Sequence, residues 1–146
     1  MHSLESSIIR LCEYYGVEAF RTKDTGVWCN TRNGEKKIAS IGIHLRRNIT
    51  SHGVGINVTN EVLANFDRID ACGLGKGVIT LQTMGRKTTR EEVEEKWTEL
   101  LAEELKRDVF RLKHIGELAE MWGIEKEKIL DILVHRQLEG LNDEDN

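Results

Sequence analysis

The chain reads as an α/β protein, a small sheet backed by helices, on three observations. Near the N-terminus Leu4, Ile8, Leu11 and Tyr15 recur at helical spacing. Short runs with strand patterning then follow between residues 17 and 58, separated by turn residues. From Thr89 the pattern becomes helical again, opened by a capping signature.

At 146 residues the chain has ordinary single-domain size, and one core burying about two-thirds of the unfolded surface is expected. Apolar residues make up 39% and charged residues 32%, and no apolar run approaches the roughly 20 residues a membrane-spanning helix needs. No membrane association is expected. A formal net charge of -4 supplies no general attraction to phosphate backbones, which weighs against nucleic acid as a partner. Cys12, Cys29 and Cys72 are odd in number and contain no C-x-x-C pair. That pattern argues against a disulfide framework and a zinc site, and for a reducing compartment. The first ten residues include Glu5 and lack the basic flank and long apolar core of a secretory signal.

Leu4 to Tyr15 is read as an amphipathic helix with Gly16 at its C-terminal cap, and Cys12 as a small buried hydrophobe on its apolar flank. Val17 to Cys29 contributes a strand, Asn30 to Glu35 a hairpin turn, and Lys37 to Leu45 a second strand. Alternation puts Ile41, Ile43 and Leu45 on one face of that strand and Ser40, Gly42 and His44 on the other, where Gly42 admits a close approach. Arg46 and Arg47 at its end are solvated charge or a phosphate or carboxylate contact. Ser51 to Val58 forms a third strand, with Gly53 and Gly55 on one face.

Thr59 to Phe66 is a helical turn with Asn60 as its cap, and Asp67 to Leu74 is an irregular loop carrying Cys72 between small neighbours. Thr89-Arg90-Glu91-Glu92 has the form of a capping box. The helix it opens carries Val93, Trp97, Leu100, Leu101 and Leu105 as one apolar stripe. Leu112 to Leu138 holds two further helical patterns broken at Gly123, a plain helical hairpin in preference to a DNA-reading helix-turn-helix. Glu125, Glu127 and Asp131 stand where a DNA reader needs basic or amide groups.

Three ordered pieces, K-K-I-A-S-I-G, S-H-G-V-G-I-N-V and F-D-R-I-D-A-C-G-L, fall between Lys36 and Leu74. Together they resemble the lipoyl(octanoyl) transferase family, in which a lysine opening a K-I-A-[AS]-[IL]-G strand and a cysteine in C-G-[ILM] carry out acyl transfer. The matching residues are Lys37 and Cys72. The resemblance covers residues 4 to 85. Members begin with a longer N-terminal half containing R-G-G and H-G-P-G segments, which are not found here, and the chain contains no proline. The resemblance implies a mixed sheet backed by helices, related to the catalytic domains of biotin and lipoate protein ligases. Residues 1–85 would be part of a catalytic domain, and residues 86–146 a helical C-terminal segment packed on it or extending it.

The resemblance further implies that Cys72 forms an acyl-thioester, with Gly73 and its neighbouring backbone N–H groups facing the oxyanion. Lys37 would lower the thiol pKa and act as general base. Ser40, Ile41, Gly42, His52, Gly53, Val54, Gly55 and Gly73 would border the octanoyl chain, with His52 orienting or hydrogen-bonding. No metal or cofactor is required. The donor implied is octanoyl-acyl carrier protein, and the acceptors are lipoyl domains of 2-oxoacid dehydrogenases and the glycine-cleavage carrier protein. A truncated, silent relative that binds such domains is the competing reading. The wording L-R-R-N-I-T-S-H-G resembles fungal members, for which the location is the mitochondrion; otherwise it is the cytoplasm.

Overall fold

The computed structural model describes residues 2–47, 49–66, 77–109 and 115–125. The chain forms two compact units, Met1–Val109 and Phe110–Asn146. In the first, helix α1 (His2–Tyr14) precedes strands β1 (Ala19–Phe20), β2 (Val27–Thr31), β3 (Gly34–Arg46) and β4 (Ile49–Ile56). A 3-10 turn (Asn60–Val62), the short helix α2 (Leu63–Phe66) and the long helix α3 (Arg90–Leu105) complete it. The strands lie in the order β1-β2-β3-β4, each neighbouring pair antiparallel. Among the described residues the parallel component of the sheet is a bridge between Lys37 and Val78. The architecture is the expected α/β one.

Helix α1 ends as its sequence predicts. Gly16 adopts φ +65, and the amide of Val17 reaches back to the carbonyl of Cys12 at 2.8 Å, which satisfies an otherwise orphaned acceptor. The β2–β3 hairpin turns at Arg32 and Asn33, between the paired Thr31 and Gly34. Strand β3 starts earlier than expected, at Gly34, because the hairpin ladder runs up to the turn. Strand β4 begins at Ile49 and ends at Ile56, two residues before the expected Val58. There the backbone leaves the ladder: Asn57 N–H donates to Ile38 at 3.0 Å, and the Val58 carbonyl accepts from Gln82 at 3.0 Å.

The helical turn after β4 is capped by Thr59 in extended conformation, not by Asn60. The Asn60 carboxamide oxygen instead accepts hydroxyl hydrogen bonds from Thr80 at 2.6 Å and Thr83 at 2.8 Å. Helix α3 carries the complete capping box: the Thr89 hydroxyl accepts from the Glu92 amide at 3.2 Å, and the Glu92 carboxylate accepts from the Thr89 amide at 2.9 Å. Its stripe buries Val93 and Leu100 and half-buries Trp97 and Leu101, but Leu105 is 50% exposed. The helix ends there, with Lys106 in the left-handed region at φ +53, so the last residue of the stripe passes beyond the core.

Ile8, Leu11 and Cys12 of α1, Val27 and Cys29 of β2, Ile38 and Ala39 of β3, and Val93 and Leu100 of α3 belong to one buried cluster. Both helices thus back the same face of the sheet. Buried polar groups at this contact are satisfied, since the Trp97 indole N–H donates to the Ser7 hydroxyl, which in turn donates to the Leu4 carbonyl. In the second unit α4 (Ile115–Trp122) stops at Gly123, φ +62, as the break in the pattern predicts. The partner helix expected after it lies outside the described residues.

Cys12 and Cys29 are buried, and burial pushes their thiols up to about 12 and about 11. Both should therefore stay unmodified by a thiol-specific disulfide reagent at neutral pH until the chain unfolds. The native state binds more protons than the unfolded state between the free-thiol value of about 8.5 and these raised values, so stability should fall as pH rises through that window. Urea titrations at pH 7.5 and 10 check this. Separately, Thr89→Ala removes the cap acceptor and should lower the unfolding free energy by about 1 kcal/mol in the same assay.

Candidate active site

Strand β3 is where the site is built, and a register shift decides which way its lysine points. Trp28 pairs with Lys37, whereas Val27 pairs with Ala39, so β3 carries one extra residue, Ile38, opposite that step of β2. Val27 and Trp28 are consecutive and lie on opposite faces of β2. Lys37 and Ala39, two residues apart, are therefore also on opposite faces, which unbroken alternation forbids. Ala39 joins the core beneath the helices. Lys37 is carried to the other face, the one shared by Ser40 and Gly42.

The β3–β4 register brings the small residues of the two strands together. Ser40 lies opposite Gly55 and Gly42 opposite Gly53, forming a strip with almost no side chain on the Lys37 face. A Cβ placed on Gly42, Gly53 or Gly55 would meet no described atom within 4 Å. Ile41 lies opposite Val54 on the other face, where both are half-buried against the core. Among the described residues, the substrate-bordering set drawn from the motifs is thus divided between two faces, with Ser40, Gly42, Gly53 and Gly55 on that of Lys37. His52 is exposed at φ +67, its ring 6.5 Å from that of His44. Arg46 and Arg47 are exposed at the end of the strand.

Lys37 is 3% exposed, which sets it apart from an ordinary surface lysine. Its backbone is held on both sides. Beyond the β2 pairing, its N–H donates to Gly77 at 3.2 Å and its carbonyl accepts from Ile79 at 2.9 Å. The buried Asn57 adds a clamp, its carboxamide donating to the carbonyls of Lys37 at 3.3 Å and Ile79 at 3.1 Å. The Lys37 stem runs past Gly26, where φ is +119 and a Cβ would stand 3.3 Å from Lys37 Cε and 2.6 Å from the Ala39 carbonyl oxygen. Its amine lies over the Trp28 ring, 4.8 Å from the centroid.

Cys72 and Gly73 fall within 67–76, outside the described residues. The chain on either side is tied together. The Asn60 bonds to Thr80 and Thr83, with the Asn60 amide donating to Gln82 Oε1 at 2.8 Å, join the turn leading into that stretch to the segment leaving it. That segment begins at Gly77, bonded to Lys37. Thr80 is fully buried, and its hydroxyl serves this network.

Asn57, Gly26 and Trp28 were not singled out from the sequence as site residues. A carboxamide ending an otherwise apolar strand is the available signal for Asn57.

The model of the lipoyl protein ligase A/B catalytic domain matches residues 1–102. A probable octanoyltransferase of Schizosaccharomyces pombe is 47% identical over 93 residues, 62% of this chain and 41% of the relative. The octanoyltransferase of Solibacter usitatus is 43% identical over 99 residues, 67% of this chain and 43% of the relative. A mitochondrial octanoyl-[acyl-carrier-protein]:protein N-octanoyltransferase of Xenopus tropicalis is 42% identical over 103 residues, 69% of this chain and 41% of the relative. The chain spans about two-fifths of the length of these relatives. With the family model covering most of its length, the chain belongs to the lipoyl protein ligase A/B catalytic domain family.

Proposed function

We propose that this chain carries the acyl-transfer centre of an octanoyltransferase, moving octanoyl from octanoyl-acyl carrier protein to a lysine of an acceptor protein. The observation that carries the reading is the buried Lys37, turned by the register shift onto a glycine-lined face and bonded to Gly77, where the chain from Cys72 returns. Cys72 precedes Gly77 by five residues, which confines its Cα to within about 18 Å of Gly77. Names of relatives in S. pombe, Solibacter usitatus and X. tropicalis support the same activity. The catalytic part would occupy residues 1–85, with residues 86–146 as its helical extension.

In this reading the Cys72 thiolate attacks the carrier thioester, the carrier thiol leaves with a proton, and an octanoyl thioester remains on Cys72. Exchange between thioesters is nearly isoenergetic, so the step needs activation more than driving force. The free thiol is only partly ionised near neutral pH, and Lys37 supplies the neighbouring charge and proton acceptor that favour the thiolate. Gly73 and adjacent amides would hold the oxyanion. The acceptor lysine amine then attacks, the thioester bond breaks, and the amine proton passes to Lys37. The strip of Ser40, Gly42, Gly53 and Gly55 offers the acyl chain a surface without charge, with His52 next to Gly53 along β4 and Ile41 and Val54 backing the strip from the core face of the sheet. Lipoyl domains of 2-oxoacid dehydrogenases and the glycine-cleavage carrier protein are the proposed acceptors. The mitochondrion is the proposed location if the source is fungal, and the cytoplasm otherwise; relatives in X. tropicalis and Saccharomyces cerevisiae are named mitochondrial.

Incubation with octanoyl-carrier protein should add one octanoyl mass to Cys72. Cys72→Ser should abolish both the adduct and transfer, while Cys12→Ser and Cys29→Ser retain them. Equal loss in all three folded variants would remove Cys72 as nucleophile. No adduct, with binding to a lipoyl domain preserved, would favour the silent relative.

Lys37→Arg keeps a cation but removes a titratable amine, so acylation should fall modestly and transfer to the acceptor much more. Lys37→Met should lower both by about 10²-fold or more. Mass spectrometry of quenched time points follows both steps. Arginine restoring both to the parent rate would leave Lys37 without a proton-transfer role.

A further inference from the structure

The Lys37 amine lies over the face of the Trp28 ring. Trp28 is 1% exposed and sits on the face away from the helical core, so hydrophobic packing beneath α1 and α3 does not account for it. Its ring is fixed in orientation by the indole N–H, which donates to the Asp24 carbonyl at 3.0 Å. The amine stands 4.8 Å from the ring centroid, inside the roughly 6 Å over which an aromatic face attracts an ammonium.

We propose that Trp28 is the positioning residue for Lys37, its indole face holding the amine on the glycine-lined side of the sheet where acyl transfer takes place. The proposal deepens the acyl-transfer reading and rests on it for its consequence, though the contact itself is independent of that reading. Three features converge on one side chain. The extra residue Ile38 turns Lys37 to this face. Gly26 leaves the space through which its stem passes, since a Cβ there would lie 3.3 Å from Lys37 Cε and 3.4 Å from Cδ. Trp28 then receives the amine at the end of the stem.

The chemistry of the ring suits a group that must move protons. A carboxylate partner holds an ammonium through hydrogen bonds and competes for its protons. An aromatic face attracts the charge through its quadrupole and itself occupies none of the N–H donors. In this scheme Trp28 acts through Lys37, which the test must reveal.

Two readouts on the 146-residue chain decide the matter. In NMR of lysine-labelled protein, the Lys37 ε-methylene signal, assigned by its loss in Lys37→Arg, should lie upfield of the lysines that sit over no ring, a set that leaves out Lys96, whose amine stands 4.8 Å from the Tyr14 ring centroid. Trp28→Leu should return it to the common position and Trp28→Phe should keep most of the displacement. Because Trp28→Leu removes a buried ring, a second substitution preserves shape: site-specific replacement of the Trp28 indole by its tetrafluoro analogue, which depletes the negative face. Octanoylation of Cys72 should then slow about tenfold, with the melting temperature little changed and Trp28→Phe intermediate.

An undisplaced Lys37 signal in the parent, or a displacement that survives Trp28→Leu, overturns the contact. Octanoylation unaffected by the fluorinated ring overturns the positioning role. A displaced signal in a parent chain that acquires no octanoyl mass counts against the acyl-transfer reading and leaves the contact established.

Discussion

Lys37 is held at two edges, in register with Trp28 of β2 on one side and with its N–H and carbonyl bonded to Gly77 and Ile79 on the other, and the geometry of the site follows from that double attachment. Strand β4 cannot supply the second edge. It leaves β3 at Ile56, and the backbone of 77–79 takes over the vacated hydrogen-bonding positions. A junction where one strand hands its partner to another leaves a gap in the ladder, and unpaired buried amides and carbonyls there would be costly. Asn57 fills the gap, its backbone bonded to Ile38 and its carboxamide to Lys37 and Ile79. The handover also anchors the first described residue after the Cys72 stretch directly against Lys37.

The helices shape the site by covering one face of the sheet and no more. Helices α1 and α3 bury Ile8, Leu11, Val93 and Leu100 against Val27, Cys29, Ile38 and Ala39, and so fix the apolar side. Salt bridges from Arg10 to Glu103 and Glu104 brace the two helices, although their exposure makes them weak contributors next to the buried area. With the core confined to that side, the opposite face of β3 and β4 is free to carry Ser40, Gly42, Gly53 and Gly55. Glycine in a strand sacrifices packing and backbone entropy, and paired glycines at adjoining register positions do so twice. A surface where something else approaches the backbone is the physical circumstance in which that loss is recovered.

Environment turns two of the three cysteines into packing residues. Cys12 and Cys29 sit among aliphatic side chains, and desolvation holds both as neutral thiols far above physiological pH. They behave as small hydrophobes. Cys72 belongs instead to a stretch whose flanks are knotted together by Asn60, Thr80, Thr83 and Gln82.

Much of the fold was legible from local pattern. Helix α1 with its glycine stop, the hairpin, the capping box at Thr89 and the break at Gly123 each depend on residues within a few positions of one another, where periodicity and capping chemistry act directly. The opposition of Ser40 to Gly55 and of Gly42 to Gly53 could be anticipated in kind, because alternate small residues in two successive strands share a face once the strands pair. Element ends were read less well. The cap at Thr59, the close of β4 at Ile56 and the exposure of Leu105 were set by partners distant in sequence, Gln82 and Ile38 among them, or by where the core stops. The amino-acid sequence by itself determined the helices, the β2–β3 hairpin, the buried character of Cys12 and the motifs that mark Lys37 and Cys72, whereas Val17 to Cys29, read as one strand, holds both β1 and the start of β2. Only the tertiary structure decided which face Lys37 occupies and that Trp28 and Gly26 receive it. An extra residue in a strand alters no composition and barely disturbs periodicity, and its effect on orientation exists only in the register between two chains.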